Sequence, residues 1–192
     1  MNRFDLSSNL IHLTKGDTLD DCFGTLVSIL TAKKLLGGSG MIKGNHNCVC
    51  LSEAPISAIG MILDNPKSHN FRYQPVGLTL DKKWFFEQGG RPVIYQPDSE
   101  YSDLPNELQY RHVSFDPTRK PIPVDFTWER EWRLNSDHLD LDPTKCSIII
   151  PKRKWIKEIN NYFKRKEIER EWTFLALEDL GFEVEIPPIK ES

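Results

Sequence analysis

Between Val124 and Leu134 the chain reads VDFTWEREWRL, and apolar and polar residues alternate along it. Val124, Phe126, Trp128, Trp132 and Leu134 share one parity; Asp125, Thr127, Glu129, Glu131 and Arg133 share the other. A side-chain period of two is the signature of a strand with one face in a core. The bulky rings fix the register, because a slip of one residue would bury the glutamates. Only Arg130 interrupts the apolar parity. A strand here places Glu129 and Glu131 on one face, about 7 Å apart at Cα from the strand rise, with Arg133 next in the row. Carboxylates this close raise the proton affinity of at least one of them, and the guanidinium opposes that shift. The row is either a catalytic cluster or a set of cross-strand ion pairs on a polar sheet face.

The tetrapeptide EREW recurs at 169–172, inside KEIEREWTFLALEDLGF. There Ile168, Trp172, Leu175 and Leu180 recur at helical spacing and Gly181 ends the run, which predicts a helix. Residues two apart on a helix point nearly opposite ways, so Glu169 and Glu171 form only a solvated face. The first copy is the candidate site.

The remaining pattern interleaves short strands with helices. Strands are predicted at NLIHLT, NCVCLS, VGLTL, RPVIYQ, RHVSF, CSIIIP and FEVEI. One helix carries Leu19, Phe23, Leu26 and Leu30, is capped by Asp17 or Thr18, and stops at Gly37–Gly38. A second is opened by Ser52 and Pro55 and carries Ile56, Ile59 and Leu63; a third is DKKWFFEQGG. SDLPNELQY reads as helical turns, DPTRKPIP as a proline-broken loop, and a basic helical part covers about 152–180. This is the pattern of a mixed α+β fold, and 192 residues suit one domain over 1–192. A hydrophobic fraction of 39% with 10% aromatics excludes a disordered chain, while a net charge of −3 names no partner. The opening MNRFDLSSNL has no apolar leader core, and no apolar run nears the roughly 20 residues of a membrane span. The four cysteines, Cys22, Cys48, Cys50 and Cys146, show no disulfide framework, which predicts a cytoplasmic location and no membrane partner.

Several other residues carry candidate chemistry. His12 and Thr14 share a face of the first strand, where His12 is either a ligand-binding imidazole or a half-buried structural one. Arg91, Val93 and Tyr95 share a face after a glycine turn, offering a guanidinium to a phosphate and a ring for stacking; a strand-end arginine in water is the alternative. Ser52 is a ligand or a helix cap. His46, Cys48 and Cys50 share a parity, but zinc ligands are usually spaced by two or more intervening residues, and no second cluster completes a tetrahedron. GGSG at 37–40 lacks the lysine and hydroxyl of a phosphate loop. Between 151 and 170 lie Lys152, Arg153, Lys154, Lys157, Lys164, Arg165, Lys166 and Arg170, interleaved with Trp155, Tyr162 and Phe163. Such a strip either holds single-stranded nucleic acid or is a solvated helix face with its aromatics in the core.

Taken in order, IHLT (11–14), CVCLSEAP (48–55), GGRPVIY (89–95) and FTWEREWRL (126–134) resemble bacterial ADP-ribosyltransferase-fold proteins, specifically the DarT-like toxins and the AbiGi-type abortive phage-resistance family. The resemblance spans about residues 10–150 and is strongest at WEREWR. It implies two packed, mostly antiparallel sheets with flanking helices around an NAD cleft. It also implies an NAD-dependent transferase of a toxin–antitoxin or abortive-infection system. By that resemblance His12 would hold a ribose of NAD with Thr14 beside it, and Glu131 would be the catalytic glutamate. Arg91 would meet the phosphates or nicotinamide, and Ser52 and Tyr95 would line the cofactor side. Glu129 would orient the acceptor or share its proton. No residue here is assigned to the family's central tyrosine. The implied acceptor is a nucleic acid, RNA or single-stranded DNA, and an antitoxin protein is an implied partner. A non-catalytic protein on the same fold, binding RNA or a partner, is the alternative.

Overall fold

The computed structural model describes residues 7–58, 73–168 and 171–183. In chain order they form β1 (Asn9–Lys15), α1 (Leu19–Ala32), β2 (Lys34–Leu36), β3 (Cys48–Ser52), β4 (Tyr73–Asp81) and α2 (Lys82–Glu87). These are followed by β5 (Arg91–Pro92), β6 (Ile94–Gln96), β7 (His112–Ser114), β8 (Glu131–Asn135), β9 (His138–Asp140), β10 (Cys146–Ile150), α3 (Lys154–Arg165) and β11 (Thr173–Ala176). Short 3-10 helices cover Asp98–Asp103, Asn106–Arg111, Thr127–Glu129 and Leu177–Leu180. The α+β reading holds at this level: pairing is mostly antiparallel, with β6–β7 and β10–β11 parallel.

The chain forms two compact units. One takes in Ile11–Lys34, Ile56–Leu80 and the chain from Leu141. Its strands run in the order β11-β10-β4-β1. Ile148, Ile149 and Ile150 are all fully buried, so β10 has apolar neighbours on both faces. Ile149 joins Ile11, Leu13 and Leu177 in one cluster. On α3, Trp155, Ile159 and Phe163 recur every fourth residue and are buried, with the Phe23 ring edge-on to Trp155 at 5.0 Å. Thr18 and Asp21 close a reciprocal capping box on α1, with Asp21 N–H to Thr18 Oγ1 at 3.1 Å and Thr18 N–H to Asp21 Oδ2 at 3.2 Å. That helix stops at Lys33 in a left-handed conformation, short of the expected Gly37–Gly38, because Leu35 buries itself in β2.

The other unit is built from the described residues up to Leu10, Leu35–Pro55 and Asp81–Asp140. Its central ribbon has the order β3-β8-β5, with β6–β7 a separate pair. Asp81 caps α2 by accepting from Trp84 N–H at 2.6 Å.

Three further expectations need correction. VDFTWEREWRL is not one strand. Thr127–Glu129 is a 3-10 turn, Arg130 is left-handed at φ 45°, and β8 begins only at Glu131. Glu129 and Glu131 therefore do not sit on one pleated row. RPVIYQ is likewise two short strands, β5 pairing with β8 and β6 with β7. The basic helix ends at Arg165, and Thr173–Ala176 is a strand running parallel to β10. Pairing with an isoleucine-rich neighbour outweighs the helical spacing of an aromatic and β-branched stretch. Glu171 is ion-paired with Lys33 at 2.5 Å and Trp172 is buried; Glu169 and Arg170 lie outside the described residues. So do Ile59 and Leu63 of the second expected helix and most of FEVEI. Among the described residues no helix is long and apolar enough to cross a membrane.

Candidate active site

β3 and β8 pair antiparallel with Ser52 opposite Glu131, Leu51 opposite Trp132 and Cys50 opposite Arg133. Partners across a ladder project to the same side, so Cys50, Ser52, Glu131 and Arg133 share one face of the ribbon. Arg133 is only 3% exposed, and that burial is matched by bonding. Its Nε donates to Glu131 Oε1 at 2.8 Å and its Nη2 to Glu131 Oε2 at 3.0 Å. Its Nη1 donates to the carbonyls of Tyr110 at 2.8 Å and His112 at 3.0 Å. Burial disfavours the Arg133 charge, but the Glu131 carboxylate more than restores it, so this guanidinium holds its proton more tightly than usual. The pair is a two-pronged, charge-assisted clamp. Each carboxylate oxygen still has a lone-pair direction that Arg133 does not fill.

The approach to Glu131 is fixed by backbone bonds on both sides of Arg130. Ser52 Oγ donates to the Glu129 carbonyl at 2.6 Å, and Glu53 N–H donates to the Arg130 carbonyl at 3.1 Å. Glu131 N–H donates to the Tyr95 hydroxyl at 3.0 Å, and the Glu131 carbonyl accepts from Val93 N–H at 3.0 Å. A left-handed arginine costs free energy and persists only where its surroundings over-determine it. Four different residues do so here. Burial pushes the Tyr95 hydroxyl up to about 12, with the Glu131 and Glu129 carboxylates adding to the rise. Burial likewise keeps the Cys50 thiol protonated, and the Glu131 charge beside it works the same way.

On the opposite face of the ribbon, Glu53 is 8% exposed. Its Oε1 accepts from Lys82 Nζ at 2.6 Å and its Oε2 from the Trp132 indole N–H at 2.9 Å. The sequence reading passed over Glu53, yet a signal was present. Val49, Leu51 and Glu53 share a parity, and a carboxylate on the apolar parity of a buried strand must find partners.

The other expected site residues are placed as follows. Arg91 Nη1 donates to the carbonyls of Phe86 at 2.9 Å and Gly90 at 2.7 Å, and the guanidinium lies 4.0 Å over the Phe86 ring. It closes the end of α2. Ser52 also accepts from Ala54 N–H at 3.1 Å, stabilising a local turn. His12 and Thr14 belong to the other unit, on β1, where His12 is half-buried and the buried Thr14 hydroxyl donates to the Val76 carbonyl at 3.0 Å. Among the described residues no three of His, Cys, Asp and Glu gather as a metal set, and all four cysteines are free thiols.

What this arrangement provides chemically is a carboxylate fixed at the first position of a strand, with a hydroxyl at its amide and a thiol at its side. No family model matches the chain, and no curated protein or solved structure matches it either.

Proposed function

We propose that the chain is an NAD-dependent ADP-ribosyltransferase of a phage-defence toxin system, transferring ADP-ribose to nucleic acid in the cytoplasm. The observation that carries this reading is the Glu131 carboxylate, held through both oxygens by Arg133 with its backbone locked by Tyr95 and Val93. The bond from ribose to nicotinamide breaks through an oxocarbenium-like centre, as in glycoside cleavage. Nicotinamide leaves as a neutral molecule and takes the bonding pair to its ring nitrogen, so no general acid is required. One rigid carboxylate then suffices. A lone pair that neither Arg133 nor Cys50 takes accepts a ribose hydroxyl, the charge stabilises the developing cation, and the carboxylate takes the proton of the incoming acceptor. Glu129, just before the Arg130 kink, supplies a second negative charge near Tyr95. In this reading an antitoxin protein neutralises the activity.

Charge distribution supports a nucleic-acid acceptor. Residues 152–166 hold seven cations and one glutamate in a chain whose net charge is −3. Arg153 is paired with Asp179. Lys154, Lys157, Lys164, Arg165 and Lys166 are exposed on or beside α3. Trp155 and Phe163 are buried, so they belong to the core and the strip offers phosphate contacts more than stacking. The free thiols suit a reducing compartment.

The bond from Arg133 to each Glu131 oxygen also fits a purely structural pair, and so favours a second reading: a non-catalytic RNA- or partner-binding protein. Incubation with labelled NAD and separated RNA, DNA and protein decides between them. Label on a nucleic-acid fraction, lost in Glu131→Gln, supports the transferase. No NAD binding together with salt-sensitive RNA binding supports the alternative.

A further inference from the structure

Glu53 meets the chain on both sides of Glu131, through its backbone amide and through its carboxylate. Its amide takes the Arg130 carbonyl at 3.1 Å, and its carboxylate takes the indole N–H of Trp132 at 2.9 Å. These two groups flank Glu131 in sequence. The same carboxylate is bound by Lys82 at 2.6 Å, at the first residue of α2. Lys82 is fixed in turn, since its own amide donates to the Ser8 carbonyl at 3.0 Å. Trp132 and Glu131 are successive residues of β8, so they project to opposite faces. An indole that cannot rotate or withdraw therefore fixes the pleat that aims Glu131 the other way.

The chemistry of the choice is informative. Burying a carboxylate is costly, and an apolar residue of similar size on the parity of Val49 and Leu51 would hold the ribbon at least as well. What an apolar residue cannot do is accept two hydrogen bonds from different directions, one from a helix and one from a strand. Lys82 and Trp132 are the two donors, and both reach an anion better than a neutral amide.

We propose that Glu53 is a positioning residue for Glu131. Through Trp132 and the Arg130 carbonyl, with Lys82 as its anchor, it sets the place of the Glu131 carboxylate in the reacting geometry. This rests on the transferase reading for its catalytic consequence, but not for its structural one.

The test uses the full chain with Glu53→Gln, Lys82→Met and Glu53→Asp. Two readouts are taken beside the thermal melt: steady-state transfer from labelled NAD, and hydrogen exchange of the Arg133 Nε–H that bonds Glu131. A displacement of about 1 Å at a reacting group costs on the order of 100-fold in rate. Glu53→Gln is therefore expected to lower kcat at least about tenfold with KM for NAD little changed. Arg133 Nε–H exchange should accelerate together with the loss, and Glu53→Asp should recover part of both. Leu30→Ala, in α1 of the other unit and matched for lowered thermal stability, should move neither readout. Wild-type kcat and unchanged Nε–H exchange in a folded Glu53→Gln protein would overturn the proposal. If the wild type transfers no label, the transferase reading falls, and the exchange measurement alone decides whether Glu53 places Glu131.

Discussion

Glu131 and Arg133, two apart on β8, meet through two N–H···O bonds of 2.8 and 3.0 Å, while the remaining Arg133 nitrogen ties down the Tyr110 and His112 carbonyls. Each side chain is the other's main compensation for burial. Removing one partner of a buried pair strands the other, at about 3–5 kcal/mol. Arg133→Met should therefore lower stability by that amount in urea melts, since it strands the carboxylate and two carbonyls together. Glu131→Gln keeps one acceptor, so its cost should be nearer 1–3 kcal/mol. Under the transferase reading its transfer rate should nonetheless fall by about 100-fold or more. A Glu131→Gln protein that melts normally and transfers normally would reduce the clamp to decoration.

Arg130 makes a second test of the site's construction. At φ 45° and ψ 52° it occupies a region that costs a side-chain-bearing residue about 1–2 kcal/mol and costs glycine little. Arg130→Gly and Arg130→Val remove the same side-chain interactions, so their difference isolates the backbone. The glycine variant should be the more stable of the two by at least about 1 kcal/mol. Equal midpoints in chemical denaturation would mean that the turn relaxes to accommodate either residue.

The same turn shows what the sequence could and could not reveal. Parity identified Glu131 and Arg133 as neighbours on one face, and the structure bears that out. It could not reveal that the strand starts at Glu131, because a 3-10 turn followed by one left-handed residue leaves alternation nearly intact. The only trace was Arg130 itself, the cation that broke the apolar parity. Glu53 was legible in the same way, as an acid in the wrong parity after Val49 and Leu51. Lys82 was not, since nothing local to DKKWFF announces a partner 29 residues away. The C-terminal error has a different cause. Trp172, Phe174 and Leu175 serve a helix pattern or a buried strand equally well, and the neighbouring β10 decides between them.

Buried thiols give the protein an alkaline weakness. Burial pushes Cys48 up to about 11 and Cys146 up to about 12, from an ordinary value of 9.0. A group whose folded-state pKa is raised stabilises the fold fully below its unfolded value, and that contribution is lost as pH climbs through the folded value. Denaturant midpoints should therefore fall between about pH 9 and 11. Cys146→Ala should flatten part of that slope. In the native protein near pH 8, both thiols should also react slowly with a thiol reagent, because the thiolate is the reactive form. Fast stoichiometric labelling of Cys48 without unfolding would contradict its placement.

Two glycines of one unit should respond to alanine with opposite signs. Gly77, on β4, faces the β1 backbone so closely that a Cβ would lie 2.0 Å from the His12 carbonyl oxygen and 2.9 Å from Leu13 Cα. Both are main-chain atoms that cannot rotate away. Gly77→Ala must therefore push two paired strands apart, at about 1–3 kcal/mol or more. The shift also falls on the strand that carries His12 and Thr14. Gly24 sits in the exposed middle of α1 with nothing within 4 Å of its would-be Cβ. There alanine removes backbone freedom from the unfolded chain and improves helix propensity, adding about 0.5–1 kcal/mol. Urea denaturation of the two single variants and the double variant checks both signs. If Gly77→Ala melts like the wild type, the close approach of β4 to β1 is wrong, and with it the environment assigned to His12.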